Sequence, residues 1–522
     1  MAAVYLGPGD ARWSLVGHQC SYHLEAYSSH MRSGHQAKNT PSGAIVSRLL
    51  AAAVTMTSFL SSGAWGQKAP ATPNEPWLPD HQTLERHTIA VPPHEAQIDG
   101  ERVYSLGELI DIAESNGPTT RAAWDQAKLT AASVGVAKSE LYPTIIATVS
   151  GRTYLNVLLF YQSVFPQDLG VFDTDVHLAY TLVDFGARHT EITAAQARLV
   201  AANLSFNNEH LILIRQVSQA YFSLLRARGL REAAEVSLND ARTTESAAQE
   251  RRKNGLATVP EVLEAKAATA KAAYDLQSAI GAERVEIGNL AKAITTNPVK
   301  PLKVEPLDQL RIPDKLDQSV EDAINTAFND RPDLQAGQAR VRAAQAEVKH
   351  AQASYYPSLT FEGAKGWIRA FGEQLGSPGV YAQTHTYDAT LALKWTVFDG
   401  FRRESSISQA KAEEKEATEE VHDRQDEITN QVWNDYTNAE TALEQRQAAA
   451  ALLSASSESY SAALESYKDG VRNFLDVLAA EDALAQARAI DVTARTQVLQ
   501  TFSDLEFRTG DLLANHPKGK NP

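Results

Sequence analysis

The sequence predicts a mainly α-helical protein with a small β part, built from one unit written twice: short helix, alanine-rich helix, strand pair and long helical hairpin. Three observations carry this. Ser105 and Ser319, Pro118 and Pro332, Tyr142 and Tyr356, and Pro143 and Pro357 are all 214 positions apart. Two stretches, YTLVDFGAR (Tyr180 to Arg188) and KWTVFDGFRR (Lys394 to Arg403), each end an alternating apolar and polar run at a glycine, Gly186 or Gly400. After each glycine comes a run of about 68 residues without proline, far longer than the ~10–14 residues of a globular helix. An internal duplication also lets 522 residues share one structure rather than split into several domains.

Taken from the amino terminus, residues 1–30 read as an over-extended start and residues 31–66 as a signal peptide. The latter begins at Met31, has a basic segment with Arg32, Lys38 and Arg48, an apolar core from about Leu49 to Leu60, and small residues before a cleavage expected after Gly66. The apolar core is shorter than the ~20 residues that cross a bilayer. No cysteine follows it, so a lipid anchor at that point is not expected. Residues 67–98 gather Pro70, Pro73, Pro76, Pro79, Pro92 and Pro93, a composition that stops helices and makes an extended linker or wrapping arm.

The first copy occupies residues 99–300 and the second 318–514, with a linker at 301–317 and a polar tail at 515–522. Each opens with a short helix, followed by a proline, Pro118 or Pro332, at the first position of an alanine-rich helix, where a missing N–H costs nothing. That helix is expected to end at the Tyr-Pro pair, because the residue before proline is pushed out of the helical region. Strands follow near Thr144 to Leu155 and Ser358 to Ile368. Clearer ones run over Val176 to Val183 and Tyr387 to Val397, with one apolar face and one that admits Asp388 and Lys394. Glycine and proline predict external loops at Phe165 to Val171 and Phe371 to Tyr381. The period of two fits either a water-soluble sandwich or a membrane barrel.

Past the glycines the register becomes 215: Gln216-Val217 answers Gln431-Val432, Tyr221 answers Tyr436, Gly255 answers Gly470. One residue is therefore expected to be inserted between Gly400 and Gln431. Each long helix stops at a glycine turn, KNGLATVPEVL or KDGVRNFLDVL, and a second helix returns, making a hairpin. Val421, Ile428, Val432, Tyr436, Ala439 and Leu443 are spaced as a packing seam.

Composition narrows function. The net charge is −15 and no lysine or arginine run occurs, which argues against nucleic acid as a partner. A single cysteine, Cys20, leaves no internal disulfide or thiolate metal site. The 14 histidines show no ligand spacing, and no nucleophile elbow, Walker loop or dinucleotide fingerprint is present, so neither an enzyme nor a cofactor is expected.

The order of parts, with QVxxxY in each long helix and DVL after the second glycine turn, resembles the TolC-like outer membrane factors over residues from about 100 to 514. The resemblance implies a homotrimer in which each chain gives four strands to a shared 12-stranded β-barrel in the outer membrane, continued by a 12-helix periplasmic α-barrel. Two strand pairs are too few to close a barrel, and a membrane tolerates no open sheet edge. The implied function is a passive exit duct for a tripartite efflux pump or type I secretion system. Its partners would be outer membrane lipid, a periplasmic adaptor protein and an inner membrane transporter.

By the same resemblance the hairpin tips dock and gate: Tyr467, Asp469, Gly470, Arg472 and Asp476 on the second, Arg252, Gly255, Glu261 and Glu264 on the first. In the family a tyrosine and an arginine at the tip hold the entrance closed, which matches Tyr467 and Arg472. Arg472 and Asp476 are also placed to pair locally, four apart on one helix. Ala479 stands where the family often has a second acid, so which acids face the lumen stays open. Gly255 and Gly470 are expected to adopt positive φ. Gly186 and Gly400 would mark the barrel-to-tunnel junction and relieve the backbone where a side chain would clash. The alternative is a periplasmic or surface coiled-coil spacer or adhesin, which explains the helices and the signal but not the strands or the repeat.

Overall fold

The computed structural model describes residues 89, 91, 94–160, 163–374 and 377–510. The segments expected as an over-extended start and a signal peptide, most of the proline-rich linker and the polar tail lie outside the described residues. The described residues from 94 onward belong to one compact unit.

The repeat is visible element by element. In the first copy, α1 (Leu106–Asn116) and α2 (Pro118–Ser139) lead to β2 (Thr144–Phe160) and β3 (Ser163–Val183), then to α3 (Ala187–Lys253) and α4 (Val259–Ala293). In the second, α5 (Val320–Asp330) and α6 (Pro332–Ala353) lead to β5 (Ser358–Gln374) and β6 (Ser377–Lys394), then to α7 (Arg402–Lys468) and α8 (Phe474–Thr509). Two-residue strands β1 (Val103–Tyr104) and β4 (Lys303–Val304) pair in parallel at the waist. Local chemistry fixes the starts: Ser105 and Glu108 cap α1 reciprocally, Ser319 caps α5, and Pro118 and Pro332 occupy first-turn positions.

Helices α3 and α7 each run 67 residues, about 100 Å at ~1.5 Å per residue. Near the strands α6 packs between them, and towards the hairpin turns α8 does so. Helices α2 and α4 cover the other flank of α3. Small residues make this close packing possible: Ala248, Ala265, Ala439, Ala463 and Ala487 are all fully buried. At the waist Leu109, Ile110 and Ala113 of α1 meet Leu213, Ile214, Val217, Tyr221 and Leu224 of α3. The seam read along α7 is the one that packs, with Ile428, Val432 and Ala439 fully buried. Ala96 donates to Thr295 O at 2.9 Å, so the end of the proline-rich segment is strapped onto the waist.

The main sheet is antiparallel in the order β2-β3-β5-β6, and β2 and β6 are its edges. Its strands correct the sequence reading in three respects. The stretches expected as loops, Phe165 to Val171 and Phe371 to Tyr381, belong mostly to β3, β5 and β6. Their glycines serve the sheet instead: a side chain at Gly170 would collide with the ring of Phe371. Strand β6 stops at Lys394, so Trp395 and Val397 lie beyond it, and Trp395 Nε1 donates to Tyr355 O at 3.2 Å.

The third correction concerns the junctions. Asp184 pairs with Arg188 at 2.6 Å and Asp399 with Arg403 at 2.9 Å, each across four residues. These pairs are 215 apart, so the inserted residue falls before Trp395 and not after Gly400. Gly186 is consequently matched by Phe401, each the residue before its long helix, with φ of 95° and 66°. Phe185 and Gly400 match likewise, at 50° and 69°. A Cβ on Gly186 or Gly400 would meet nothing within 4 Å; the demand there is for a left-handed backbone, not for space. Among the described residues no helix is long and apolar enough to cross a membrane.

Candidate functional site: the paired hairpin tips

Both tips are built alike. Helix α3 ends in a turn where Gly255 takes φ 73° and Gly255 N–H and Leu256 N–H donate back to Arg252 O and Arg251 O at 2.9 and 2.8 Å. Helix α7 ends the same way: Gly470 takes φ 81°, and Gly470 N–H and Val471 N–H donate to Tyr467 O and Ser466 O at 3.0 and 2.9 Å. This is the double-bonded helix end that wants glycine. Each returning helix is capped: Thr258 N–H and hydroxyl donate to Glu261 Oε1 at 3.1 and 2.9 Å, and Asp476 N–H donates to Asn473 Oδ1 at 2.8 Å.

The two tips are fastened to each other. Tyr467, only 2% exposed, donates its hydroxyl to Glu261 Oε2 at 3.1 Å. Arg251 Nη1 donates to Tyr467 O at 2.6 Å and Lys468 O at 2.9 Å, while Nη2 reaches Leu256 O at 3.3 Å. Its guanidinium also lies 4.7 Å from the centre of the Tyr467 ring, which contacts Phe474 at 5.4 Å. One cation thus gathers carbonyls from the C-terminal ends of α3 and α7, where the helix dipoles favour positive charge. Beneath lies an apolar cluster including Ala248, Val262, Ala265, Ala463, Phe474 and Val477.

The electrostatics support this fastening. Burial alone would raise the Glu261 carboxyl. The bonds from Thr258 and Tyr467 and the charge of Arg251 outweigh it and hold Glu261 below the ordinary carboxylate range. Burial, then the bond to Glu261, pushes the Tyr467 hydroxyl up to about 12. The pair is therefore a neutral phenol donating to an ionised carboxylate.

Of the residues singled out in the sequence, Tyr467, Glu261, Gly255 and Gly470 come together here. Arg252, Glu264, Asp469, Arg472 and Asp476 are exposed, and no ion pair forms between Arg472 and Asp476. The residue that sequence comparison missed is Arg251. The 215 register sets its neighbour Arg252 opposite Tyr467, whereas Arg251 follows Thr244 and Ala248 on the inward seam of α3 by steps of 4 and 3, a spacing that points it at the other hairpin.

The family model for outer membrane efflux proteins matches residues 109–292 and 323–511, well over half the chain. The chain belongs to the outer membrane efflux protein family. Protein CyaE of Bordetella pertussis is 31% identical over 315 residues, 59% of this chain and 63% of that protein. Outer membrane protein OprJ of Pseudomonas aeruginosa is 23% identical over 321 residues, 61% of this chain and 66% of that protein. The matched stretches thus span just under two thirds of these relatives. The solved outer membrane protein VceC of Vibrio cholerae shares the fold, with a TM-score of 0.65 at 20% identity over 78% of this chain and 96% of that one. As a member of the efflux protein family this chain is an outer membrane protein.

Proposed function

We propose that three copies of this chain close a 12-stranded barrel in the outer membrane and continue it as a 12-helix periplasmic tunnel, a passive exit duct closed at rest by the hairpin tips. The observation that carries this reading is the two-faced sheet. Antiparallel partners share a face, and the register puts Ile145, Val149, Phe172, Val176, Leu178, Phe361, Trp367, Tyr387 and Leu391 on one. The other holds Thr148, Ser150, Arg152, Asp173, Asp175, His177, Glu362, Asp388 and Thr390. That is lipid outside and water inside. The sheet cannot stay as it is in a bilayer, because β2 and β6 offer long edges of unsatisfied backbone. The helices leave a matching flank on α7, where Trp433 and Leu452 are 57% and 44% exposed. A rotated copy meets both with β2 and with α2 and α4.

In this reading the duct serves a tripartite efflux pump or type I secretion system. A periplasmic adaptor docks at the tips, and an inner membrane transporter supplies the energy. Exposed Arg472 reaches the neighbouring copy to complete the closure that Tyr467, Glu261 and Arg251 make within each chain. A coiled-coil spacer has no use for strands of 17 to 21 residues. The test is fractionation followed by planar-bilayer recording. Recovery from the outer membrane as a detergent-stable trimer of low resting conductance is expected; a soluble periplasmic monomer would overturn the proposal.

A further inference from the structure

The lipid-facing side of the sheet is not wholly apolar. Lys365 and Arg369 of β5 stand on it, both exposed, with Trp367 between them. The register sets Lys365 beside Val176 and Tyr387, and Arg369 beside Phe172 and Gln383. A side chain on Gly366 would meet Asp175 and Thr386, which confirms that the residues alternating with Lys365 point the other way. Among the described side chains, the carboxylates Asp173, Asp175, Glu362 and Asp388 lie on that opposite face. Among the described side chains Lys365 has no ion pair.

Cations on a lipid-facing strand are penalised steeply with depth, and an intramembrane charge is by default functional. Their height explains the pair. Strand β5 leaves the helical part at Ser358. There Tyr142, Phe185, Tyr356, Trp395, Phe398 and Phe401, all more than half exposed, mark the inner membrane interface as an aromatic girdle. At ~3.3 Å per residue and a tilt of ~40°, Lys365 stands about 18 Å and Arg369 about 28 Å above this foot. An apolar band of ~25 Å ends between them. The lysine stem spans the remaining distance by reaching upward, so both charges meet at the outer interface.

We infer that Lys365 and Arg369 form a binding site for the phosphates of an outer-leaflet glycolipid of the lipid A type, whose acyl chains lie on Phe172, Val176, Trp367 and Tyr387. The inference rests on the barrel proposed above, and three such sites surround the trimer. Two cations four residues apart on one strand and facing one interface match a phosphorylated headgroup in charge. The apolar residues below them match its chains.

The test is native mass spectrometry of the full-length trimer in detergent, titrated with bisphosphorylated lipid A, with the same lipid after phosphatase treatment, with phosphatidylglycerol and with inorganic phosphate. Up to three lipid A molecules are expected per trimer. Lys365→Gln combined with Arg369→Gln is expected to weaken binding about thirtyfold, and removing the phosphates from the lipid to do the same. Equal binding by the double variant or by the dephosphorylated lipid would overturn the site. Equal binding of phosphatidylglycerol, or displacement of lipid A by inorganic phosphate, would overturn the assignment to a glycolipid. Planar-bilayer conductance of the double variant, expected to be unchanged, confirms that its barrel is intact. Failure of the unmodified chain to form a trimer would instead overturn the barrel itself.

Discussion

Replacing Arg251 by alanine removes, in one step, three hydrogen bonds to main-chain carbonyls and a cation–π contact. Hydrogen bonds made by a charged group contribute about 1.5–3 kcal/mol each when buried, but this guanidinium is only half-buried and the third bond, at 3.3 Å, is weak. Discounting for solvent leaves about 2 kcal/mol for the fastening between hairpins. That corresponds to about a thirtyfold shift in the ratio of closed to open tips, since ~1.4 kcal/mol is tenfold. Tyr467→Phe removes only the 3.1 Å bond to Glu261, about 1 kcal/mol, and is expected to shift the ratio about fivefold. The assay is open probability in planar bilayers, with Arg251→Lys as an intermediate case, because one ammonium cannot span three carbonyls. The Arg251→Ala and Tyr467→Phe changes are expected to be non-additive, because the guanidinium stacks on the ring whose hydroxyl is removed. A trimer of Arg251→Ala with unaltered conductance would refute the claim that this side chain holds the tips.

Further expectations concern charge and burial. Arg472→Ser is expected to raise conductance through the contact between copies, and an additive effect with Arg251→Ala would show that the two act at separate places. The contribution of Glu261 is fully present above the ordinary carboxylate range and is lost as pH falls through its depressed value. Tyr467, raised to about 12, contributes fully below about pH 10, the ordinary tyrosine value. Conductance measured against pH should therefore stay low from mildly acidic to mildly alkaline solution and climb in strong acid and again in strong alkali, and Glu261→Gln should flatten the acid rise. Tyr221 is fully buried and its hydroxyl has no partner among the described residues. Tyr221→Phe is expected to leave the melting temperature unchanged or to raise it, since an unsatisfied buried hydroxyl costs about 1–3 kcal/mol.

The long helices were legible because propensity and proline placement are local. Both end at a lysine, Lys253 and Lys468, one residue before an Asn-Gly or Asp-Gly pair. The strands were legible only where alternation was strong. Their upper halves carry Pro166, Gly170, Gly372, Pro378 and Gly379, which locally signal a loop; cross-strand pairing overrode that signal, with the Phe371 ring filling the space over Gly170. At the junctions the eye follows glycine, yet the ion pairs Asp184–Arg188 and Asp399–Arg403 set the true equivalence. A phenylalanine there accepts positive φ because its ring is occupied elsewhere: Phe185 stacks on Tyr356 at 5.4 Å and Phe401 meets Phe398 at 5.6 Å. The fastening by Arg251 joins residues more than 200 positions apart in the chain, beyond the reach of any comparison of one repeat with its own copy.

The two bare edges of the sheet bear on inheritance as well as on assembly. In the proposed ring of three, each subunit supplies one side of two seams, so a single faulty β2 or β6 would break the wall of the whole ring. When normal and edge-defective copies are made in equal amounts, only about one ring in eight is free of the defect. Edge lesions should therefore behave as dominant, whereas lesions that abolish synthesis should be recessive.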